Sequence, residues 1–344
     1  MYTAVAMRPT IPFSFLLTAV CLLSLPLHAQ TPAKASPLLV VVNQGDKDIS
    51  LVDPELQQQI ATISEGVTAM HGHEAAASPY GRSAYVPIYS NVGVGHPGLN
   101  GHEMLVIDLP SRKIIGHVEF GHGVRPHCVI YNKHDGLLYV TTELDQDVTL
   151  VDPRTLKIVG TIPTGQQQSH MLAISPDGTR GYTANVGPGT VSVLDIKARK
   201  TLAVIPISGE TQRISVSNDN SMAFTSDQTQ PRLAVIDTAT NKVKAWVPLP
   251  GTGYGTAPTK DGRSLLVAVP GRSLVAVVDL ATLKVVNTIP VPSAPQEILV
   301  RPDGKIAYVS CNVKNQVAAI DLSDWKVQKL INAGAGADGL AWAQ

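Results

Sequence analysis

Histidines occupy matching points along the chain, and histidine is the side chain that most often binds a metal or exchanges a proton near neutral pH. His73, His127 and His170 are separated by 54 and 43 residues. The same register continues at intervals of 42 residues through Gln212, Tyr254, Gln296 and Asp338. Because the residue type varies while the spacing is kept, we predict that these seven positions form a ligand-binding rim. Three charged residues, each one position further along, are assigned to the same rim: Glu74, Arg213 and Glu297.

A transition metal is one occupant that such a rim could take. Three histidines with an open coordination position suit zinc or copper, and Glu74 or Glu103 could complete the sphere or orient a histidine. We assign the connecting segments that carry four further histidines to the same face, which makes His71, His96, His102 and His122 candidate ligands as well. Only His71-Gly72-His73 forms a close pair, however, and no HExxH motif is present. The alternative is that rim histidines bond backbone groups and that loop histidines are solvated, so we favour a ligand-binding face over a metal centre.

A repeated strand that ends in aspartate gives the elements that must position this rim. The strand occurs seven times, and the intervals are 55, 44, 43, 42, 42 and 42 residues. A period near 42 with four strands in each copy is typical of a β-propeller, whose blades bury their faces only against neighbouring blades. We interpret the aspartates as structural, since a carboxylate that follows a strand can hold the next turn. They are Asp53, Asp108, Asp152, Asp195, Asp237, Asp279 and Asp321.

The chain begins one strand late. In the seventh copy we predict strands a to d, from the channel outward, at residues 297–300, 306–310, 317–321 and 326–331. The first copy offers strand b at residues 38–43, c at 49–53 and d at 59–63, but it has no strand a. Residues 338–342 have the missing pattern, so we predict that the C-terminus closes the first blade. The predicted fold is an all-β, seven-bladed propeller with four antiparallel strands in each blade, and it forms a single domain over residues 38–344.

The second strands share a further signature. They read YVPI from Tyr85, YVTT from Tyr139, YTAN from Tyr182, FTSD from Phe224 and YVSC from Tyr308. With the turns SPDG at Ser175 and RPDG at Arg301, these segments resemble the YVTN family of β-propeller repeats, the YncE-like group. The resemblance implies the fold. It says little about function, because members of the group are mostly exported binding or surface proteins without one agreed chemistry.

The N-terminal residues predict export. An apolar run from Ile11 to Leu27 follows Arg8 and leads to a plausible cleavage point after Ala29, so residues 1–29 read as a signal peptide and 30–37 as a linker. Translation could start at Met1 or at Met7. Pro12 and Pro26 leave too short a clean span for a transmembrane helix. We therefore expect a periplasmic or secreted protein with no membrane span in its mature form.

Composition narrows the classes of partner. Removing residues 1–29 takes away one basic residue and no acidic one, which leaves a formal charge of −1, and aromatic residues make up 5% of the chain. Both facts argue against a nucleic-acid surface. Cys128 and Cys311 fall in well-separated blades, so we expect no disulfide between them. We expect a monomer.

Two functions from different classes remain open. The first is an exported binding protein that receives a small ligand, a metal or a protein partner at its histidine-rich face. The alternative is a metal-dependent enzyme, a hydrolase, lyase or oxidase, in which His73, His127 and His170 bind the metal and Glu74 or Glu297 acts as general base. No GxSxG, P-loop or SxxK motif supports another chemistry.

Overall fold

Seven antiparallel sheets follow one another in the computed structural model, which describes residues 1–4, 6 and 36–344. Each sheet is a four-stranded blade, and in the second blade the inner strand is divided into two short pieces. The predicted seven-bladed β-propeller is therefore confirmed. Most of the predicted signal peptide, the candidate start residue Met7 and most of the predicted linker lie outside the described residues, so export stays a prediction.

The strands follow the chain in order, and the first blade receives its inner strand last. Blade one comprises β1 (Leu38–Asn43), β2 (Asp48–Asp53) and β3 (Gln58–Ser64). Blade two comprises β4 (His71–Gly72), β5 (Ala76–Ala77), β6 (Ser83–Ser90), β7 (Asn100–Asp108) and β8 (Lys113–Glu119). Blade three comprises β9 (Pro126–Asn132), β10 (Leu137–Thr142), β11 (Asp147–Asp152) and β12 (Lys157–Pro163). Blades four and five comprise β13 (Ser169–Ile174), β14 (Arg180–Asn185), β15 (Thr190–Asp195) and β16 (Lys200–Pro206), and β17 (Thr211–Val216), β18 (Met222–Asp227), β19 (Arg232–Asp237) and β20 (Lys242–Pro248). Blade six comprises β21 (Thr256–Pro258), β22 (Ser264–Val269), β23 (Leu274–Asp279) and β24 (Lys284–Pro290). Blade seven comprises β25 (Pro295–Val300), β26 (Ile306–Cys311), β27 (Gln316–Asp321) and β28 (Lys326–Asn332). The final strand is β29 (Ala337–Ala343).

The C-terminal strand closes the ring as predicted. β29 pairs antiparallel with β1, so that Leu39 lies opposite Trp342 and Val41 opposite Leu340. Trp342 also stacks on Tyr308 of the seventh blade, with ring centroids 6.2 Å apart. The first blade is therefore completed by the final strand β29, which pairs with β1.

The two middle strands of each blade form most of the core. In β23 the side chains of Val275, Ala276, Val277 and Val278 are at most 1% exposed, which is what a sheet covered on both faces requires. The outermost strand β24 is instead mostly exposed, with Val285 half-buried and Ile289 buried. Blades pack face to face through such middle strands; Tyr139 and Tyr182, for example, belong to one core cluster that joins the third and fourth blades.

The seven repeated aspartates hold turns. In every blade the carboxylate at the end of the third strand accepts a hydrogen bond from a backbone N–H two or three residues later. The donors are Glu55, Ser111, Arg154, Ala198, Thr240, Thr282 and Ser323. The structural interpretation of these residues is confirmed.

Three further predictions meet the structure here. Cys128 and Cys311 are buried free thiols, as expected. The prediction that His102 and Glu103 lie in a loop is wrong, because β7 starts at Asn100. The long segment inserted between β6 and β7, called the insertion below, is limited to residues 91–99. Among residues 1–4, 6 and 36–344, no helix is long and apolar enough to cross a membrane.

Candidate functional site at the channel mouth

Irregular pairing of the inner strands sets the geometry of the channel mouth. The register between an inner strand and its neighbour shifts in six blades, at or beside the predicted rim residue. A bulge adds a residue to one strand and changes the direction in which side chains project. In the sixth blade β21 begins only at Thr256, so Tyr254 precedes the strand that was expected to carry it. The rim predicted from spacing is thus the place where the repeated sheet becomes irregular.

Four histidines from three blades line up beside one tyrosine. The ring centroids of His71 and His73 are 4.8 Å apart, those of His73 and His127 are 5.0 Å apart, and those of His127 and His170 are 3.5 Å apart. Tyr89 of β6 lies edge-on to this row, 4.9 Å from His127 and 5.6 Å from His170. The predicted meeting of His73, His127 and His170 is therefore observed.

These rings are buried and only partly hydrogen-bonded. His127 is 1% exposed and His170 is 5% exposed. The Nδ1 atom of each has no hydrogen-bond partner among the described residues. Burial lowers the pKa of both imidazoles well below the usual range, with His73 and Arg213 adding repulsion, and lowers the pKa of His71 to about 4. The stacked pair is consequently uncharged at neutral pH.

The row does not present a preformed metal centre. His127 and His170 are inclined by only 30°, so their rings face one another rather than converge on one point. In the part of the chain that the structure describes, no group of three or more His, Cys, Asp or Glu side chains is arranged to hold an ion. The other candidate ligands lie apart: His102 is 3.9 Å from Glu119, His122 bonds Asp145, and Glu103 bonds His117. Metal binding, and with it the metal-dependent enzyme, stays a prediction.

The charged rim residues meet at Arg213, in the channel. Arg213 is 3% exposed and has a φ of 54°, a left-handed conformation that is uncommon for a side chain of this size. Its Nη1 atom donates to Glu74 Oε1 and, at 2.7 Å, to Glu297 Oε2, while Nη2 donates to Asp338 Oδ1 at 3.2 Å. The guanidinium also lies 4.8 Å from the centre of the Tyr254 ring. We call Arg213, Glu74, Glu297, Asp338 and Tyr254 the arginine knot; it joins five blades.

Three carboxylates around one guanidinium cannot all be ionised at low cost. Burial raises the pKa of Glu74 well above its usual range and also raises that of Glu297, although the Arg213 charge opposes both shifts. Burial would raise the pKa of Asp338 too, but hydrogen bonding from His73 and the charge of Arg213 outweigh it and hold the value low. The charge of Arg213 therefore keeps Asp338 ionised most readily, whereas burial makes Glu74 and Glu297 bind a proton more tightly than exposed carboxylates do.

Two rim amides complete this description of the mouth. Gln212 is 7% exposed, and its Oε1 atom has no hydrogen-bond partner within the described ranges. Gln296 is half-buried at the start of β25. Both predicted positions therefore lie on the rim, beside Arg213 and Glu297 in sequence.

Residues that spacing alone did not reveal line a cleft next to the histidine row. A cleft of about 610 Å³ is lined by His96 and Asn100 on one side and by Arg125, Glu143 and Gln168 on the other. Arg125 donates to the His96 carbonyl at 2.8 Å and to Asn100 Oδ1 at 2.7 Å, which fixes the insertion as one wall. Glu143 accepts the Tyr89 hydroxyl and lies 3.9 Å from His170 Nδ1. Glu143 had one signal in the sequence, because it is the only acidic residue directly after the second strand of a blade.

Glu65 adds a pH dependence that is specific enough to test. This carboxylate is 1% exposed and accepts only the Gly72 N–H, so burial raises its pKa to about 8. A raised pKa means that the folded state binds the proton more tightly, so stability falls as pH rises from about 4.5 to about 8. We expect Glu65→Gln to make this decline shallower by on the order of 1 kcal/mol per pH unit. Urea unfolding at several pH values measures it, and a variant with the wild-type slope would contradict the assignment.

Comparison with known proteins supports the fold. The sequence profile described as YNCE-like beta-propeller matches residues 250–343. The chain matched none of the curated proteins with which it was compared. Hydrazine synthase of Kuenenia stuttgartiensis superposes with a TM-score of 0.71 at 20% identity, over 84% of this chain and 93% of that one. A functionally unknown protein from Desulfotomaculum acetoxidans DSM 771 gives a TM-score of 0.74 at 16% identity, over 89% and 99%.

At such identities, similarity to a solved structure shows the fold and nothing more. The profile match covers the sixth blade, the seventh blade and all of the closing strand β29. The chain is therefore a seven-bladed β-propeller whose residues 250–343 match the YNCE-like family.

Proposed function

We propose that this chain is a binding protein and that it receives a small, uncharged, polar ligand at the channel mouth of the second to fourth blades. The observation that carries the proposal is the stacked pair His127 and His170, both buried and each with an unpartnered Nδ1 atom. Leaving a buried polar group without a partner costs about 1–3 kcal/mol. A ligand that hydrogen-bonds these nitrogens would offset that cost.

The surrounding charges favour an uncharged ligand. Arg125 Nη1 lies 3.6 Å from Glu143 Oε1, so the two buried charges of the cleft compensate one another. Much of the remaining polar lining is amide: Asn100, Gln146, Gln167 and Gln168. Such a wall offers donors and acceptors without net charge, which suits hydroxyl or amide groups. The cleft volume of about 610 Å³ lies within the range usual for small-molecule sites.

The test is a ligand screen with a matched pair of variants. Sugars, polyols, amino-acid amides and short peptides are added to the protein, and a ligand that binds the folded state raises Tm with its concentration. The double variant His127→Phe/His170→Phe keeps two stacked rings but removes their nitrogens, so we expect it to weaken binding at least about tenfold. His117→Phe, on the outer strand β8, should leave binding unchanged. A screen with no stabilising compound, or equal binding by the double variant, would overturn the proposal.

A separate arm of the screen addresses metal. Zinc and copper are added alone to the metal-free protein, followed by equilibrium dialysis with elemental analysis. If a metal raises Tm and the double variant loses the effect, the occupant of this face is an ion, and the uncharged-ligand proposal fails.

We also propose that the protein acts after export, on the basis of the apolar segment before Ala29. Mass spectrometry of the protein recovered from a periplasmic extract should give a chain that starts at Gln30. A chain that retains Met1 or Met7 would contradict export with cleavage.

A further inference from the structure

A second cleft lies on the opposite face of the ring, where the third and fourth blades meet. It is bounded by the turn after β9 and by the turns that flank β14 and β15. Its volume is about 670 Å³. At the corresponding junctions of the following blades the clefts measure about 180, 330 and 420 Å³. The cleft between the third and fourth blades therefore has a larger volume than the clefts at these three equivalent junctions.

The larger volume has a cause in the sequence. In blades four to six the turn after the inner strand begins with a hydroxyl residue that donates to the turn aspartate at 2.6 Å. The third blade has Asn132 at this position and one extra residue before the glycine of its turn. Asp135 instead accepts the Tyr139 hydroxyl at 2.6 Å. Asn132 is 3% exposed, and its Nδ2 atom lacks a partner among the residues that the structure describes.

Some of the polar side chains that line this cleft have hydrogen-bond partners and others do not. The carboxylate of Asp195 accepts the Ala198 N–H of its own turn at 2.7 Å, and the carboxylate of Asp135 accepts the Tyr139 hydroxyl. Arg199 donates to the Val159 carbonyl at 3.1 Å, and neither Arg199 nor Lys197 forms an ion pair within the described ranges. The unsatisfied groups are thus donors: two cations at the edge and the Asn132 amide.

The rest of the lining is apolar. Leu137 is half-buried, Ile196 is 7% exposed and Leu202 is 42% exposed, and all three line the cleft. Together with free donors, this surface suits a molecule that has an apolar body and one anionic end. A purely polar ligand would leave the leucines uncovered, and a cationic one would meet Lys197 and Arg199.

We propose that this cleft is a second ligand site and that it binds a small amphipathic carboxylate. The carboxylate faces Lys197 and Arg199, and the hydrocarbon part covers Leu137 and Leu202. The site shares no residue with the channel mouth, so it stands independently of the function proposed above.

Titration calorimetry with octanoate tests the proposal, with octan-1-ol and octylammonium as probes of similar shape and different charge. We expect octanoate to bind with a Kd below about 1 mM, and the other two to bind at least about tenfold more weakly. Lys197→Met/Arg199→Met changes only exposed residues, so it should fold, and it should weaken octanoate binding by at least about tenfold. Asn132→Ser, which restores the hydroxyl of the other blades, should weaken it by a smaller factor.

Two controls locate the binding. Lys260→Met alters a lysine of the 420 Å³ cleft between blades six and seven and should leave the Kd unchanged. The His127→Phe/His170→Phe variant should also bind octanoate normally, whatever its effect at the mouth. The proposal is overturned if octanoate shows no saturable binding, if octan-1-ol or octylammonium binds as tightly, or if the Lys197/Arg199 variant binds like the wild type.

Discussion

A chain that ends at Gly336 should fail to form the ring. The deletion removes β29, and with it the hydrogen-bond partner of β1 and the buried side chains of Ala337, Leu340 and Ala341. β1 would become an open inner edge whose apolar residues face solvent. We expect a loss of about 5 kcal/mol or more, which is comparable to the whole stability of an ordinary domain. Circular dichroism melting and size-exclusion chromatography should show no cooperative transition and an expanded or aggregated chain.

The matched control removes Gln344 alone. This residue is exposed and lies beyond the end of β29. Its deletion should change stability by no more than about 0.5 kcal/mol. A truncated chain that melts cooperatively within a few degrees of the wild type would show that the six complete blades are stable without closure.

Ring closure was predictable from sequence because the same strand pattern occurs once in every blade. One strand pattern of uncertain bounds would mean little, but seven copies near one period give a blade count, and the count shows that the first blade lacks a strand. The final strand then has only one place to pair. The bounds of single strands were less certain, since Asn100 to Glu103 continue β7 although their glycine-rich context resembles a loop.

The candidate site was predictable only in part, for a geometric reason. Spacing identifies positions that are equivalent by rotation around the ring, so it found His127, His170 and Arg213. It does not identify residues that approach the same point from positions that are not equivalent between blades. Tyr89, Arg125 and Glu143 reach the histidine row in that way, from a second strand and two loops. The same limit explains why His96, His102 and His122 share a face with the row without joining it.

Arg213→Met should be the most destabilising single substitution in the channel, by about 3–5 kcal/mol at neutral pH. The substitution removes the one guanidinium that, among the described residues, contacts Glu74, Glu297 and Asp338, and it leaves these buried carboxylates without that compensating charge. The loss should shrink as pH falls toward 5, because protonation then neutralises carboxylates that burial has already shifted upward. In both proteins the depressed pKa values of the buried histidines lower stability as pH falls below about 6.5, because the unfolded chain then binds protons that the buried imidazoles do not. Urea unfolding of the variant and the wild type between pH 5 and 8 measures both effects.

Two variants separate the charge of the arginine knot from its packing. Glu74→Gln replaces a carboxyl whose pKa is raised by burial with a neutral amide of the same shape, so it should cost little alone. It should recover part of the Arg213→Met loss in the double variant, because one of the carboxylates that Arg213 compensates is then absent. Arg154→Met removes an exposed arginine that pairs with Asp152, and it should have no measurable effect. If Arg213→Met costs no more than Arg154→Met, the knot is not what joins the five blades. If it is costly but independent of pH, the arginine stabilises the ring through packing against Tyr254 and Met171 rather than through charge.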